Sequence, residues 1–598
     1  MYLSHLELTN FRSFSSEQIL FEECLTVLVG ENNGGKSNII DALRLISRPL
    51  SGRQELYCEQ SDVRIGADSR AFSIQATFED LTIPQQGRLL SATTDTTLRT
   101  ACFWLTYDDS QNRSHVRPTL WAGRFKSRPE PGAHEMIRHV YLPPLRDARR
   151  ALASGNPTRI YALLNHFRGD RDPADIASKL ARKPDDQVLT DVEQAVSNRL
   201  TELTAGVRQQ DAALGFNTEE RLIDIARDLR FKLADYGIDP EDLQYSGHGH
   251  ANLLYIATVA VELAGTDDVD LTMFLVEEPE AHLHPQLQAA VLSFLQERAA
   301  ESLRPKADPN APAGHMQVVV ATHSPNLTAG VPNRNLVFVR SVTSAIVPSE
   351  EMTSQQLPRT RPLRPESRCI PLSKLDLSDK ERRKLDRYLD VTKSALLFGG
   401  RVLLVEGIAE ALLLPVIAEH HVLRSRKEDF AKFRSAVFVP IDGVDFLPYM
   451  KALLSPYNNV RITDRLVIIT DGDKRAVEDG SRLPGGDRKA QMEELATTMD
   501  ASALLDIFVS TYSLETELLM AGNEECLRDV YMALHPRSRT KWDDAVSKSG
   551  DERAAAIQGL FETTSKGDFA QLLAQKVADG EDFIVPDYIR QAIEAIVK

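Results

Sequence analysis

Cysteine is scarce in this chain: Cys24, Cys58, Cys102, Cys369 and Cys526 are the five in 598 residues, and none forms a C-x-x-C pair. That scatter argues against a disulfide frame or a thiolate zinc site and suits small core residues in a reducing compartment. Long apolar runs are missing too. The longest, such as 411–418, fall far short of the ~20 residues that span a bilayer. Mixed polar sequence leads directly into the first motif, with no room for a signal peptide. A soluble, cytoplasmic protein with no membrane partner is expected. The third absence is positive charge: 70 Lys and Arg stand against 86 Asp and Glu, a net −16. No global electrostatic pull toward nucleic acid follows, so such contact must come from local basic patches or through metal ions.

What is present begins with Gly30-Glu31-Asn32-Asn33-Gly34-Gly35-Lys36-Ser37, which fits G-x-x-x-x-G-K-[ST]. An apolar strand at 25–29 precedes it, and a helix with apolar spacing over 38–46 follows, stopping before Pro49. Such a loop turns a strand end into a helix N-terminus, where backbone N–H groups and the helix dipole converge on a phosphate chain. Gly30, Asn32, Asn33, Gly34, Gly35 and Asn38 line that cradle, Lys36 reaches the β and γ phosphates, and Ser37 holds Mg²⁺. ATP with Mg²⁺ or Mn²⁺ is the cofactor expected.

The length suits about three or four domains. Residues 1–146 read as the first part of an α/β ATPase domain, with further strands at 71–78, 101–107 and 139–142. From 147 to 240 the pattern turns helical, which reads equally well as a dimerisation insert or as a long lobe of the ATPase. Residues 241–345 return to the nucleotide theme. An apolar strand over 270–276 ends in Glu277 and Glu278: the first carboxylate would hold Mg²⁺ and the second polarise the attacking water. Residues 281–285 would form a loop at a dimer surface. Another buried strand, 317–321, delivers Thr322-His323-Ser324-Pro325, with His323 set to sense the γ phosphate. Ligands gather at the C-terminal edge of an α/β sheet, so these elements in this order reinforce one another.

Asn10-Phe11-Arg12-Ser13-Phe14, the phosphate loop, 274–285 and 321–325 together resemble the ABC-type ATPases of the SMC and RecF group. That resemblance implies two heads closing around nucleotide, each lending a Ser-Gly signature loop to the other. Ser246-Gly247-His248-Gly249-His250 is the candidate, though it departs from the usual Ser-Gly-Gly-Gln form.

Residues 346–397 read as an interdomain linker and connecting helix, rich in Pro and in basic residues: Arg359, Arg361, Arg364 and Arg368, then Lys380, Arg382, Arg383, Lys384 and Arg387. The run could track a DNA backbone, but a solvated face is the commoner explanation. A second α/β rhythm occupies 398–598. A strand at 401–405 carries Glu406 at its tip, with Glu410 one helical turn on, and a strand at 465–470 ends in Asp471-Gly472-Asp473. In a parallel sheet these tips share an edge, and clustered carboxylates there call for hard cations such as Mg²⁺ or Mn²⁺. Two such ions can activate a water and stabilise the leaving oxygen of a phosphodiester. Glu515 and Glu517 face different ways on a helix, and Glu515 is preferred.

Glu-Gly-x-x-Glu followed by Asp-Gly-Asp resembles the Toprim domain. Joined to the ATPase and to Leu514-Glu515 and Lys566-Gly567, it is similar to the OLD (overcoming lysogenisation defect) family of ATP-dependent nucleases, which includes the nuclease subunit of the Gabija antiphage system. The resemblance implies metal ligation by Glu406, Glu410, Asp471, Asp473 and Glu515, a catalytic cation at Lys566, and double-stranded DNA as substrate. It also implies a homodimer or higher oligomer and, in some systems of the family, a UvrD-like helicase partner. The rival reading is a RecF-like or SMC-like DNA-clamping ATPase whose second sheet is a scaffold.

Overall fold

The computed structural model describes residues 1–144 except 51, 53 and 111–115, then 171–180, 268–343 except 282 and 284, 365–389, 393–472 and 484–598, plus a few isolated residues and pairs between 160 and 258. Nearly all of the insert expected over 147–240, the signature Ser246, loop positions 282 and 284, and Asp473 lie outside the described residues.

Two large sheets build the N-terminal half among the described residues, beside a short ladder that pairs Lys232–Leu233 with Glu241–Asp242. In the first, β1 (Tyr2–Phe11) and β2 (Phe14–Leu20) form a hairpin. β5 (Ala71–Glu79), β6 (Ala101–Asp108) and β7 (Thr119–Ala122) extend it in the antiparallel order β2-β1-β5-β6-β7. The second sheet starts with β3 (Leu25–Val29), which leads through the phosphate loop into α1 (Lys36–Ile46) and the short β4 (Arg48–Pro49). It adds β8 (Ile137–Leu142), β9 (Leu271–Glu277), β10 (His315–Thr322), β11 (Leu336–Val342) and β12 (Glu366–Pro371), in the order β12-β11-β3-β10-β9-β8-β4. All its pairings are parallel except that of β12 with β11.

Strands in this sheet are apolar without alternation because both faces are covered. In β9, Leu271, Met273 and Leu275 enter the core shared with α1 and the antiparallel sheet, while Phe274 and Val276 enter the core under α2 (Pro285–Ser302). Successive side chains point to opposite faces, so one run feeds two cores.

The linker expected over 346–397 is corrected by β12. Its buried Ser367, Cys369 and Ile370 and its pairing with β11 make it part of the N-terminal sheet. Arg368, read as a surface cation, pairs with the buried Glu17 at 2.9 Å. On α3 (Asp379–Tyr388), Arg382 donates to the backbone carbonyls of Leu372, Ser373 and Leu375, and Lys384 pairs with Asp445. These cations hold the chain's own backbone and carboxylates together.

The C-terminal half is a four-stranded parallel sheet. β13 (Arg401–Val405) leads to α4 (Ile408–Ile417), β14 (Val437–Pro440) to α5 (Leu447–Leu454), and β15 (Arg465–Thr470) is followed in the described chain by α6 (Pro484–Thr498) and β16 (Leu505–Val509). The strand order is β14-β13-β15-β16. Helices α7 (Leu514–Met520), α8 (Lys566–Ala578) and α9 (Asp587–Val597) help close one face. Alternation again serves two cores: Leu403, Val405, Val467 and Ile469 face these helices, whereas Val402, Leu404, Leu466 and Ile468 join the apolar cluster that continues into the N-terminal half. Arg340 of β11 adds a polar tie across that junction, donating to the carbonyls of Arg461 (2.7 Å) and Ile462 (3.2 Å) and pairing with Asp464 at 2.6 Å.

Candidate functional site

The phosphate loop is shaped by glycines that no other residue could replace. Gly30 has φ +146°, and a β-carbon there would overlap the carbonyl oxygen of Val339; at Gly34 it would lie 2.8 Å from the same oxygen. The loop is therefore seated on β11. Asn33 takes φ +66°, a conformation that asparagine tolerates better than most residues. Lys36 is buried, and its ammonium folds back to donate to the carbonyls of Gly30 (2.8 Å) and Glu31 (2.7 Å). Burial lowers its pKa, against the opposing charges of Glu278 and Glu280. The side chain of Asn38 donates to Ser13 Oγ at 2.8 Å and accepts from Arg12, which leaves its backbone N–H, in the first turn of α1, for a phosphate.

Parallel register brings the other nucleotide residues to the same edge: Val29 lies beside Thr322, and Glu277 beside Ala321. Glu277 is buried, which raises its pKa, and it accepts hydrogen bonds from Tyr141 (3.0 Å) and from Ser37. A carboxylate and the loop hydroxyl thus meet where a Mg²⁺ between phosphates would need oxygen donors. Glu278 sits in the left-handed region, φ +44°, with its N–H donated to the carbonyl of Ala321. That turn at the strand end presents its side chain 3.8 Å from Nδ1 of His323.

In the C-terminal sheet the tips of β13, β15 and β16 are aligned, Val405 beside Ile469 and Thr470 beside Val509. Glu406 Oε1 accepts the backbone N–H of Asp471 at 2.8 Å and the hydroxyl of Thr470. Glu410, in the first turn of α4, has its carboxyl pushed up to about 7, by burial first and then by the charges of Glu515 and Glu406. Asp471 is also raised well above its ordinary value, by burial and then by Glu410, Glu406 and Glu515. Glu515 is only 2% exposed and lies 3.8 Å from Lys566 Nζ, which is 59% exposed. Burial would lower the lysine, but Glu515, Asp471, Glu410 and Glu406 outweigh it and raise it. Glu517 has a different task, accepting the backbone N–H groups of Thr511 (2.7 Å) and Tyr512 (2.9 Å).

Glu406, Glu410, Asp471, Glu515 and Lys566 are thus neighbours, drawn from segments up to 160 residues apart. Among the described residues, no three His, Cys, Asp or Glu side chains lie close enough together to hold a metal ion as they stand. Mutual repulsion of buried carboxylates favours such spreading. The donor set is nonetheless all oxygen, anionic and hard, which fits Mg²⁺ or Mn²⁺ and not a soft metal.

Several participants carry no sequence signal. Arg488 of α6 donates to Glu406 Oε1 (3.4 Å), Thr470 (3.2 Å) and the carbonyl of Asp471, and Ser510 donates to Asp471 Oδ1 at 3.2 Å. Tyr588 has a buried hydroxyl with no hydrogen-bond partner among the described residues; burial, and then the nearby charges of Asp471, Glu410, Glu517 and Glu515, raise its pKa. At the nucleotide edge the unforeseen members are Tyr141 and Glu280. Apart from Tyr141, which stands next to Leu142 in an apolar strand, these residues become visible only when distant segments meet.

A phosphate loop, a strand ending in two carboxylates and a histidine-bearing turn, aligned along one edge of a parallel sheet, define an ATPase of the ABC class. Residues 25–329, just over half of the chain, match the family described as AAA domain, putative AbiEii toxin, Type IV TA system, and the chain belongs to that family. A RecF DNA replication and repair protein of Trichodesmium erythraeum is 42% identical over 53 residues, 9% of this chain. The matches span only 14% to 28% of the length of such RecF relatives. The C-terminal region of the Burkholderia pseudomallei OLD protein is 29% identical, with 33% of this chain and 97% of that chain covered at a TM-score of 0.25. The SMC head domain from Thermotoga maritima is 15% identical, with 62% and 99% covered at a TM-score of 0.30. An OLD-family ATPase, the resemblance read from the motifs, is in keeping with these matches. Among the described residues no helix is long and apolar enough to cross a membrane.

Proposed function

We propose that this chain is an ATP-regulated endonuclease that cuts or nicks double-stranded DNA with two divalent ions, Mg²⁺ or Mn²⁺, held by a Toprim-type carboxylate set, in phage defence or DNA repair. The observation that carries this reading is the gathering of Glu406, Glu410, Asp471 and Glu515 around Lys566 at one sheet edge. Buried carboxylates that repel one another call for cations, and Lys566 together with Arg488, which pairs with Glu406, does not neutralise four acids. Glu406, Glu410, Asp471, Asp473 and Glu515 would hold the ions, which when bound supply an activated water and stabilise the leaving oxygen. Lys566, half in solvent, would offset charge on the scissile phosphate. The first turns of α4, α7 and α8 meet at this edge, and their dipoles favour an anion there. In the N-terminal half, Glu278 would polarise the water that attacks ATP, with closure of two heads in a homodimer or larger assembly controlling access to DNA.

Supercoiled plasmid with Mg²⁺ or Mn²⁺, incubated with and without ATP and a nonhydrolysable analogue, should yield nicked or linear product, and the comparison gives the sign of the coupling. Undiminished cutting by an Asp471→Ala, Asp473→Ala double variant would sink the assignment. A second reading, a RecF-like DNA-clamping ATPase with a non-catalytic C-terminal sheet, draws on the partial matches to RecF DNA replication and repair proteins. It predicts ATP-dependent DNA binding and no cleavage under any divalent metal.

A further inference from the structure

We infer that Glu280 is a positioning residue for ATP hydrolysis, acting through His323; the inference rests on the ATPase reading of the N-terminal half. Its Oε1 accepts the hydroxyl of Thr322 at 2.7 Å and the backbone N–H of His323 at 3.0 Å, and lies 3.4 Å from His323 Nδ1. One carboxylate oxygen thus ties the end of β10, the turn after it and the imidazole ring. Glu280 is buried beneath a ring that is 45% exposed, so the fixed partner is the acid and the presented one is the histidine. With Nδ1 facing the Glu280 carboxylate, Nε2 is the ring nitrogen left for a nucleotide, and the carboxylate fixes the orientation in which the ring presents it. Glu278 lies farther from the same nitrogen, at 3.8 Å, and is the more exposed acid, which suits it to water and not to holding the ring.

A purely structural clamp would not need charge. A glutamine could accept the same two hydrogen bonds without the penalty of burying an anion. Moreover, Glu280 Oε2 is buried with no hydrogen-bond partner among the described residues. Orphaned polar atoms in folded proteins call for an explanation, and functional demand is a common one. The charge of Glu280 also reaches Lys36, the phosphate-loop cation, which locates the carboxylate inside the nucleotide site.

The test compares wild type, Glu280→Gln, His323→Ala and the double variant in steady-state ATP hydrolysis with Mg²⁺, alongside binding of a nonhydrolysable ATP analogue. Glu280→Gln keeps the shape and the two acceptor contacts, to the Thr322 hydroxyl and the His323 N–H, so folding is preserved, and its melting curve verifies this. We expect its kcat to fall about 10-fold or more with KM within about 2-fold, and the double variant to be no slower than His323→Ala. A Glu280→Gln enzyme with wild-type kcat overturns the inference, as does a His323→Ala enzyme with wild-type kcat or a double variant whose losses multiply. If wild type neither binds the analogue nor hydrolyses ATP, the ATPase reading itself fails, and that outcome is distinct from a defect confined to the variants.

Discussion

Gly472, between the two aspartates of the C-terminal motif, offers a sharp test because its surroundings leave no room for a β-carbon. One added there would overlap the carbonyl oxygen of Ser510 and lie 2.5 Å from that of Thr511. Relief requires the ends of β15 and β16 to part by roughly 1 Å, since carbon and oxygen settle near van der Waals separation. The same displacement would loosen the bonds from Gly472 N to Ser510 Oγ (3.1 Å) and from Gly485 N to the Gly472 carbonyl (3.3 Å). Overpacking of this kind costs about 1–3 kcal/mol and a weakened hydrogen bond about 1 more. Gly472→Ala should therefore lose about 2–4 kcal/mol, or roughly 5–10 °C in the melting of the C-terminal half. The effect on chemistry should be larger, because Asp471 moves with the loop: a 1 Å misplacement of a reacting group costs on the order of 10²-fold in rate. Thermal melting, plasmid cleavage with Mn²⁺ and ATP hydrolysis would be measured on one preparation. Cleavage should fall while ATP hydrolysis stays within about 2-fold of wild type. Full cleavage with an unchanged melt would refute the packing argument and the role given to Asp471 together.

Lys36→Ala removes the buried ammonium that bridges the Gly30 and Glu31 carbonyls, and ATP hydrolysis should drop on the order of 10²-fold or more; a variant hydrolysing ATP normally would contradict the phosphate-loop assignment. Arg340→Ala leaves the acceptors at Arg461, Ile462 and Asp464 without their donor, costing about 1–3 kcal/mol at the junction between halves. The ratio of plasmid cleavage with and without ATP should shrink toward one in that variant, and an unchanged ratio and melt would show the tie to be idle. His139 is buried against Ser47, and burial together with the nearby Arg44 lowers its pKa to about 3. Unfolded chains take up that proton below about 6.5, so the stability is present above that pH and is lost as the pH falls toward 3, by at most about 1.4 kcal/mol per pH unit. Denaturant unfolding between pH 7 and pH 4 should show a shallower decline in His139→Gln than in wild type; parallel profiles would rule the effect out.

Both halves announced themselves locally. The phosphate loop is a motif of fixed spacing, β9, β10, β13 and β15 are short apolar runs bounded by turn residues or acids, and the alignment of their ends follows from parallel pairing alone. Helix geometry alone separated Glu515 from Glu517, since residues two apart face different ways. β12 was misread because Pro and Arg dominate its neighbourhood, and its justification, the pairing of Arg368 with Glu17, spans 351 residues. Asn38 was placed in the cradle on motif position, and the bond of its side chain to Ser13, at the turn between β1 and β2, leaves no local mark in the sequence.

The sequence by itself determined which strands would be buried on both faces and which carboxylates would stand at their tips, because backbone periodicity and turn chemistry act over a few residues. Only the tertiary structure decided how those carboxylates are held: Arg488, Ser510 and Tyr588 reach the acidic edge, and Glu280 reaches His323, by packing of elements distant in the chain. Hydrogen bonds and charge interactions decay within a few ångströms, so they are set by where the fold brings atoms together and leave no periodic mark along the chain.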